Sequence, residues 1–375
     1  MKIRVERDGF ADAVAWSARI LPQKAALPVL AGLRLEVDTD GQLALSGFDY
    51  EVSANAELDA TVAEAGAVLV PGRLLADITR NLPPQPIDLA TDGSRVVLTC
   101  GSSRFTLPTL PLEEYPTLPA MPHVAGTVGS DAFADAVSAV AVAAGRDDAL
   151  PVLTGIRMEI DGEQVTLAAT DRYRLAIRTM RWAPTDPSLQ ATALVPARTL
   201  ADAAKSLTSG AEVTVSLSAT DAGEGLIGLS GAHRSTTSRL LDGEFPKYRS
   251  LLPDTSSATA TVGSTALIDA VRRVALVASR TSPIRLTFSD GGVSLEAGGV
   301  DEAEASESLP AAFDGEPLTI AFNATYLLDG LGSLDSDEAQ LAFTGPTKPA
   351  VITGKADADG GSDHRYLLMP VRLSS

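Results

Sequence analysis

The sequence holds one cysteine, Cys100, in 375 residues. No internal disulfide can form, which fits a reducing cytoplasm. The three histidines, His123, His233 and His364, stand far apart, with no i,i+4 pair and no cysteine cluster to complete a zinc site. No apolar run approaches the ~20 residues of a membrane span. The start, Met1-Lys2-Ile3-Arg4-Val5-Glu6-Arg7, alternates charged with apolar residues, as a strand does and a signal peptide does not. Basic residues are in the minority: 30 Lys and Arg against 48 Asp and Glu, a net charge of −18. Summed over the chain, that balance argues against a nucleic-acid partner, because phosphate contacts need Lys and Arg. The sum does not describe local surfaces, since charges more than about 10 Å apart are screened at 0.1 M salt.

Catalytic signatures are missing too. Gly223-Glu224-Gly225-Leu226-Ile227-Gly228 matches the dinucleotide pattern G-x-G-x-x-G, but Leu226 to Gly231 reads as a strand where a helix is required, so a hairpin turn is expected. There is no P-loop. Asp357 to Asp363 looks like a calcium loop but lacks an acidic third position and a closing Glu. Arg146-Asp147-Asp148 reads as an exposed polar loop. Asn323-Ala324-Thr325 is a glycosylation sequon by pattern only. With no nucleophile–base pair, no acid pair, no metal site and no cofactor motif, the chain reads as a binding or scaffolding protein rather than an enzyme.

What the chain does have is repetition. Phe10-Ala11-Asp12-Ala13-Val14 returns as Phe133-Ala134-Asp135-Ala136-Val137, and more loosely as Leu267-Ile268-Asp269-Ala270-Val271. Leu27-Pro28-Val29-Leu30 returns as Leu150-Pro151-Val152-Leu153, and Glu114-Tyr115-Pro116 as Glu244-Phe245-Pro246. Blocks recurring in one order at a spacing of ~125 residues describe whole domains rather than solenoid units. Three domains follow, 1–125, 126–255 and 256–375. Each copy is expected to hold a helix near residues 8–20, capped by Asp8 or Gly9, and a second helix after Pro71 with an apolar stripe of Leu74, Leu75, Ile78 and Leu82. Roughly eight strands complete each copy, giving an α+β fold of two antiparallel sheets covered by two helices. Such open sheets leave edge strands that neighbouring copies can pair.

Three further stretches carry a family resemblance: Ala169-Thr170-Asp171-Arg172-Tyr173-Arg174-Leu175-Ala176, Glu244-Phe245-Pro246-Lys247-Tyr248, and the C-terminal Tyr366-Leu367-Leu368-Met369-Pro370-Val371-Arg372-Leu373. With the threefold repeat, they resemble the bacterial DNA polymerase III beta subunits, the sliding clamps, over the full length. The resemblance implies a head-to-tail homodimer closed into a ring of six domains, helices lining the hole and sheets forming the outer wall. It implies a non-catalytic, cofactor-free processivity factor in the cytoplasm at the nucleoid, which encircles duplex DNA without sequence preference and touches no membrane. A ring holds DNA by topology, so weak contacts suffice and the overall negative charge is no obstacle.

The basic residues of the implied inner helices and loops are Lys24, Arg73, Arg80, Arg146, Arg198, Lys205, Arg272, Arg273 and Arg280. The resemblance also implies a pocket that receives short linear peptides from the polymerase III alpha subunit, the clamp loader and repair polymerases. Its residues would be Leu153, Thr170, Arg172, Arg174, Leu175, Pro246, Ser250 and Leu251, with Asn323, Tyr326 and Pro349, then Met369, Pro370, Val371 and Arg372. Met369 offers an adaptable apolar surface, and Arg174 a donor for peptide carbonyls or a carboxylate. Val152, Arg172 and Ser250 depart from the residues common in relatives. These departures fit an alternative, a paralogous clamp with an altered pocket that resists an inhibitor or serves repair.

Overall fold

The computed structural model describes residues 1–24, 26–218, 225–278, 282–298, 303–355 and 363–372. Arg280 and most of the calcium-like loop lie outside the described residues, as does the turn containing Gly223 and Glu224. The strand Leu226–Gly231 that follows this turn is present as expected.

Among the described residues, each copy contributes two helices and nine strands, one strand more than the sequence suggested. The helices are α1 (Arg7–Ser17), α2 (Gly72–Arg80), α3 (Ser130–Ala141), α4 (Ala197–Ser206), α5 (Ser264–Val274) and α6 (Ala324–Gly332). The repeated phrase lies on α1, α3 and α5. Its large apolar residues, Phe10, Val14, Phe133, Val137, Leu267 and Val271, are all buried. Burying each contributes about 1.5–3 kcal/mol, so the phrase pins each first helix in place.

Two local expectations are corrected. First, α1 ends at Ser17 and passes into a 3-10 turn, Ala18–Ile20; Glu6 holds its N-cap position without a side-chain bond, and Asp8 sits in the first turn. A carboxylate there favours the helix dipole, not the cap. Second, α2 buries Leu75 and Thr79 but leaves Leu74 46% exposed, because Leu74 lies ~100° around the helix from its neighbour.

The three copies are grouped in two compact units: residues 1–131, 183–186 and 202–240 in one, and 132–182, 187–201 and 241–375 in the other. Sheet pairing gives the reason. In the first unit, Val52–Asp59 of copy one pairs with Arg234–Arg239 of copy two inside one nine-stranded sheet. In the second unit, Arg174–Arg181 of copy two pairs with His364–Leu368 of copy three inside another. Continuous ladders thus join neighbouring copies. The strand His123–Gly129 also runs across the expected 125/126 division, which therefore falls inside an element.

The first unit also carries a five-stranded sheet ending on Ser103–Pro108, and the second a four-stranded sheet ending on Ala305–Pro310.

Candidate functional site

The turn that opens the second copy's pairing strand is built by one carboxylate. Asp171 Oδ1 accepts hydrogen bonds from the backbone N–H of Tyr173 (3.0 Å) and Arg174 (3.1 Å), closing an Asx turn. Asp49 does the same for Glu51 and Val52 in the first copy. Both turns force a left-handed residue, Tyr50 at φ 76° and Arg172 at φ 78°. A side chain there costs about 1–2 kcal/mol that glycine avoids. Arg172→Gly is therefore expected to raise the unfolding free energy by roughly 0.5–1 kcal/mol, seen as a higher urea midpoint. A lowered midpoint would show that the Arg172 side chain more than offsets the strain.

Arg174 is the centre of this region. Its side chain is 5% exposed, its Nε donates to Asp171 (2.9 Å), and its Nη1 donates to Asp329 on α6 (2.6 Å). Its guanidinium lies 4.3 Å from the Tyr326 ring centre. Burial alone would lower its pKa, but the Tyr366 hydroxyl, Asp329 and Asp171 outweigh burial and raise it. Tyr366, wholly buried, donates to the Tyr326 carbonyl (2.8 Å). Arg174 is thus committed to two carboxylates. It holds α6 against the turn through Nε and Nη1.

Beside it opens a cavity of about 500 Å³. Four expected pocket residues line it, Leu153, Arg172, Arg174 and Tyr326, together with Tyr173, whose ring stacks on Tyr326 at 6.3 Å. Arg146, expected to face DNA, lines it as well. Asn323 caps α6 by accepting from the Tyr326 N–H (3.1 Å) and so sets where that ring stands.

The remaining pocket residues gather elsewhere. In the pairing register Thr170 faces Leu175, and Leu175 faces Leu367, so all three share one sheet face. Leu175 and Leu367 form an apolar floor with Ile177, Phe245 and Tyr248, with Val152, Leu241 and Val351 packed at its margin. Leu175 itself is 1% exposed, a packing residue. Pro246, Ser250 and Leu251 belong to the connector crossing this floor, and Leu251 is 50% exposed. The Met369 N–H donates to the Tyr173 carbonyl and the Val371 N–H to the Ala321 carbonyl (2.9 and 2.8 Å), which fixes Met369, Pro370, Val371 and Arg372 along the same region. Met369 remains 40% exposed. Pro349 is half-buried just before the strand Ala350–Gly354.

The matching junction of the first unit has no such floor. There the Arg239 N–H donates to the Glu51 carbonyl, as Met369 does to Tyr173, but Ser53 and Thr237 replace Leu175 and Leu367. Their hydroxyls bond each other at 2.6 Å, and both are buried.

The basic residues differ in their surroundings. Lys24, Arg80, Arg198 and Lys205 are exposed. Arg73 donates to the Leu21 carbonyl at 2.5 Å. Arg272 is paired loosely with Asp269 at 3.4 Å. Arg273 is held by both carboxylate oxygens of Glu307, on the strand Ala305–Pro310. Tyr173, Asp171 and Asp329 were not expected as site residues. Tyr173 and Asp171 lie within the Thr170-to-Leu175 phrase itself, and Asp329 closes a repeated seven-residue block that ends on Asp77 and Asp202 in the other copies. Among the described residues no cluster could hold a metal ion, and no helix is long and apolar enough to cross a membrane.

Comparison with known proteins supplies the identity. Three family models of the DNA polymerase III beta subunit match in tandem: the N-terminal domain over residues 1–119, the central domain over 127–247 and the C-terminal domain over 249–372. The chain is 56% identical to the beta sliding clamp of Streptomyces coelicolor over the whole of both chains. It is 48% identical to the beta sliding clamp homolog GriR of Streptomyces muensis, again over both full lengths. The DnaN sliding clamp of Pseudomonas aeruginosa, solved bound to griselimycin, superposes with a TM-score of 0.90 at 28% identity and full coverage of both chains. The chain belongs to the DNA polymerase III beta subunit family, the beta sliding clamps, which are non-catalytic processivity factors of DNA polymerase III.

Proposed function

We propose that two copies of this chain close head to tail around duplex DNA at the nucleoid and tether DNA polymerase III. One observation of the fold carries the ring. Each internal junction is a nine-stranded sheet made of four strands from one copy and five from the next. The chain's own extremes are a five-stranded sheet in copy one and a four-stranded sheet in copy three, each with an open edge. Pairing Ser103–Pro108 of one protomer with Ala305–Pro310 of the other would complete the same nine-stranded sheet, twice, and cover both of these edges. Phe105 and Leu276, 37% and 84% exposed, are apolar groups such an interface would cover.

Within the ring, Lys24, Arg73, Arg80, Arg146, Arg198, Lys205, Arg272 and Arg280 would supply weak phosphate contacts, with Arg273 partly withheld by Glu307. Loading onto nicked circular DNA with a clamp loader and ATP should give complexes that survive moderate salt and dissociate when the DNA is linearised. Salt-sensitive retention on linear DNA would overturn the ring.

The peptide site of this reading runs over the floor of Leu175 and Leu367 and along Met369, Tyr173 and Tyr326, with Leu251 as an exposed anchor. Leu251→Asp should leave the fold intact, since half of that side chain is already in water, and weaken a polymerase-derived peptide by about 2 kcal/mol, roughly thirtyfold. Unchanged affinity by calorimetry would remove the connector from the site. The greater identity to the Streptomyces coelicolor clamp than to GriR favours the replicative reading over a paralogue.

A further inference from the structure

Both internal junctions carry a matching cross-strand pair. Arg234 faces Ala56 in the first unit, and His364 faces Arg178 in the second. Paired side chains project from one sheet face, so the two pairs occupy equivalent places. In the first unit the Arg234 guanidinium joins three neighbours. Nη1 donates to the Ser206 carbonyl at the end of α4 (3.2 Å), and Nη2 donates to Asp12 on α1. The same group lies 5.6 Å from the centre of the Trp16 ring, which is buried.

The second unit keeps this frame and lacks the ring. His364 bonds the Ser333 hydroxyl at the end of α6 (2.8 Å), where Arg234 bonds Ser206. The repeated phrase that aligns Asp12 with Asp135 also aligns Trp16 with Ala139. A cavity of about 280 Å³ opens at that alanine. Ala139, Val142 and Leu334 give it apolar walls, and Asp135, Arg178 and Ser333 line it too. Arg178 is half-buried there. The third copy has Arg273 at this position, bound to Glu307. Only the second copy has a small residue at a place that holds a large side chain in the other two. A framework relaxes only partly around such a deficit, so the space stays open.

We infer that this cavity is a small-molecule site that takes a flat aromatic ring of indole size. The ring would lie against Ala139, in the place that Trp16 fills in the first copy, with the Arg178 guanidinium over its face. Asp135 and the Ser333 hydroxyl offer acceptors to a ring N–H. A cavity left by deleting a large apolar side chain can bind a free aromatic molecule. The chain supplies the ring itself in one copy and leaves it to a ligand in the next.

The test uses the full-length protein, with indole as the probe and saturation-transfer NMR as the readout. Indole should receive saturation from the wild-type protein. Ala139→Trp refills the position from within and should abolish the transfer. Ala139→Leu crowds the same space with less bulk and should weaken binding, which keeps the test open if the tryptophan variant does not fold. Arg178→Gln leaves α3 untouched and should weaken binding about threefold, through loss of one cation–π contact. An absence of transfer to the wild type would overturn the inference. So would transfer that survives Ala139→Trp or is undiminished in Ala139→Leu, because indole would then sit elsewhere. Unchanged affinity in Arg178→Gln would overturn it as well.

Discussion

Arg174→Ala is expected to lower the unfolding free energy by about 3–5 kcal/mol, the usual cost of removing one member of a buried charge cluster. Arg174 is 5% exposed and touches two carboxylates, so alanine leaves Asp171 and Asp329 facing each other with no cation between them. The contact of its guanidinium with the Tyr326 ring is lost as well. Asp329 is about a third exposed, and water there moderates the penalty toward the lower end. Arg174→Lys should recover only part of the loss, because one ammonium cannot satisfy both carboxylates from the geometry of a planar fork. Urea denaturation checks this. A loss below about 1 kcal/mol would put the cluster among surface ion pairs and remove Arg174 as the clasp between α6 and the turn at Asp171.

The second large effect depends on pH. His364 is 2% exposed, with Nδ1 3.1 Å from the Ile177 carbonyl and Nε2 2.8 Å from the Ser333 hydroxyl. Burial lowers its pKa to about 4; the Ile177 carbonyl opposes this and nearby Arg178 adds to it. The folded protein therefore keeps His364 neutral where the unfolded chain protonates it, near 6.5. Above pH 6.5 neither state takes the proton, and stability is at its full value. As pH falls from 6.5 toward 4 the unfolded state alone binds it, and stability should decline by up to about 3 kcal/mol. His364→Gln should flatten the decline over that window while lowering stability at neutral pH. An equally steep decline in the variant would assign the acid sensitivity to other groups.

Much of the architecture was legible because it is written in repeated local signals. The phrase beginning at Phe10 marks three first helices, and the same residues prove to be their buried faces. The Asx turns at Asp49 and Asp171 recur because one carboxylate and two backbone N–H groups suffice to build them. Leu74 was misjudged because its neighbours permit two helix faces, and only the sheet beneath α2 chooses one. Leu175, expected as a pocket wall, is buried as the floor, since alternation along a strand sets its face but not what crosses over it.

The site was legible in part. Leu153, Arg172, Arg174 and Tyr326 do converge on one cavity, although more than 170 residues separate the first from the last. The bond of Arg174 to Asp329 was not foreseen, because the two residues lie 155 positions apart. No local pattern announces a pairing of that kind.

The sequence by itself determined that this chain is three copies of one α+β domain without an internal disulfide, and that it resembles the clamps. Periodicity and repetition are local properties, and a chain carries them before it folds. Only the tertiary structure decided that copies fuse through shared nine-stranded sheets, and that the two internal junctions differ. One junction is closed by the Ser53–Thr237 hydroxyl pair, and the other is floored by Leu175 and Leu367. That difference arises when strands from separate copies meet side by side, and it exists in neither strand alone.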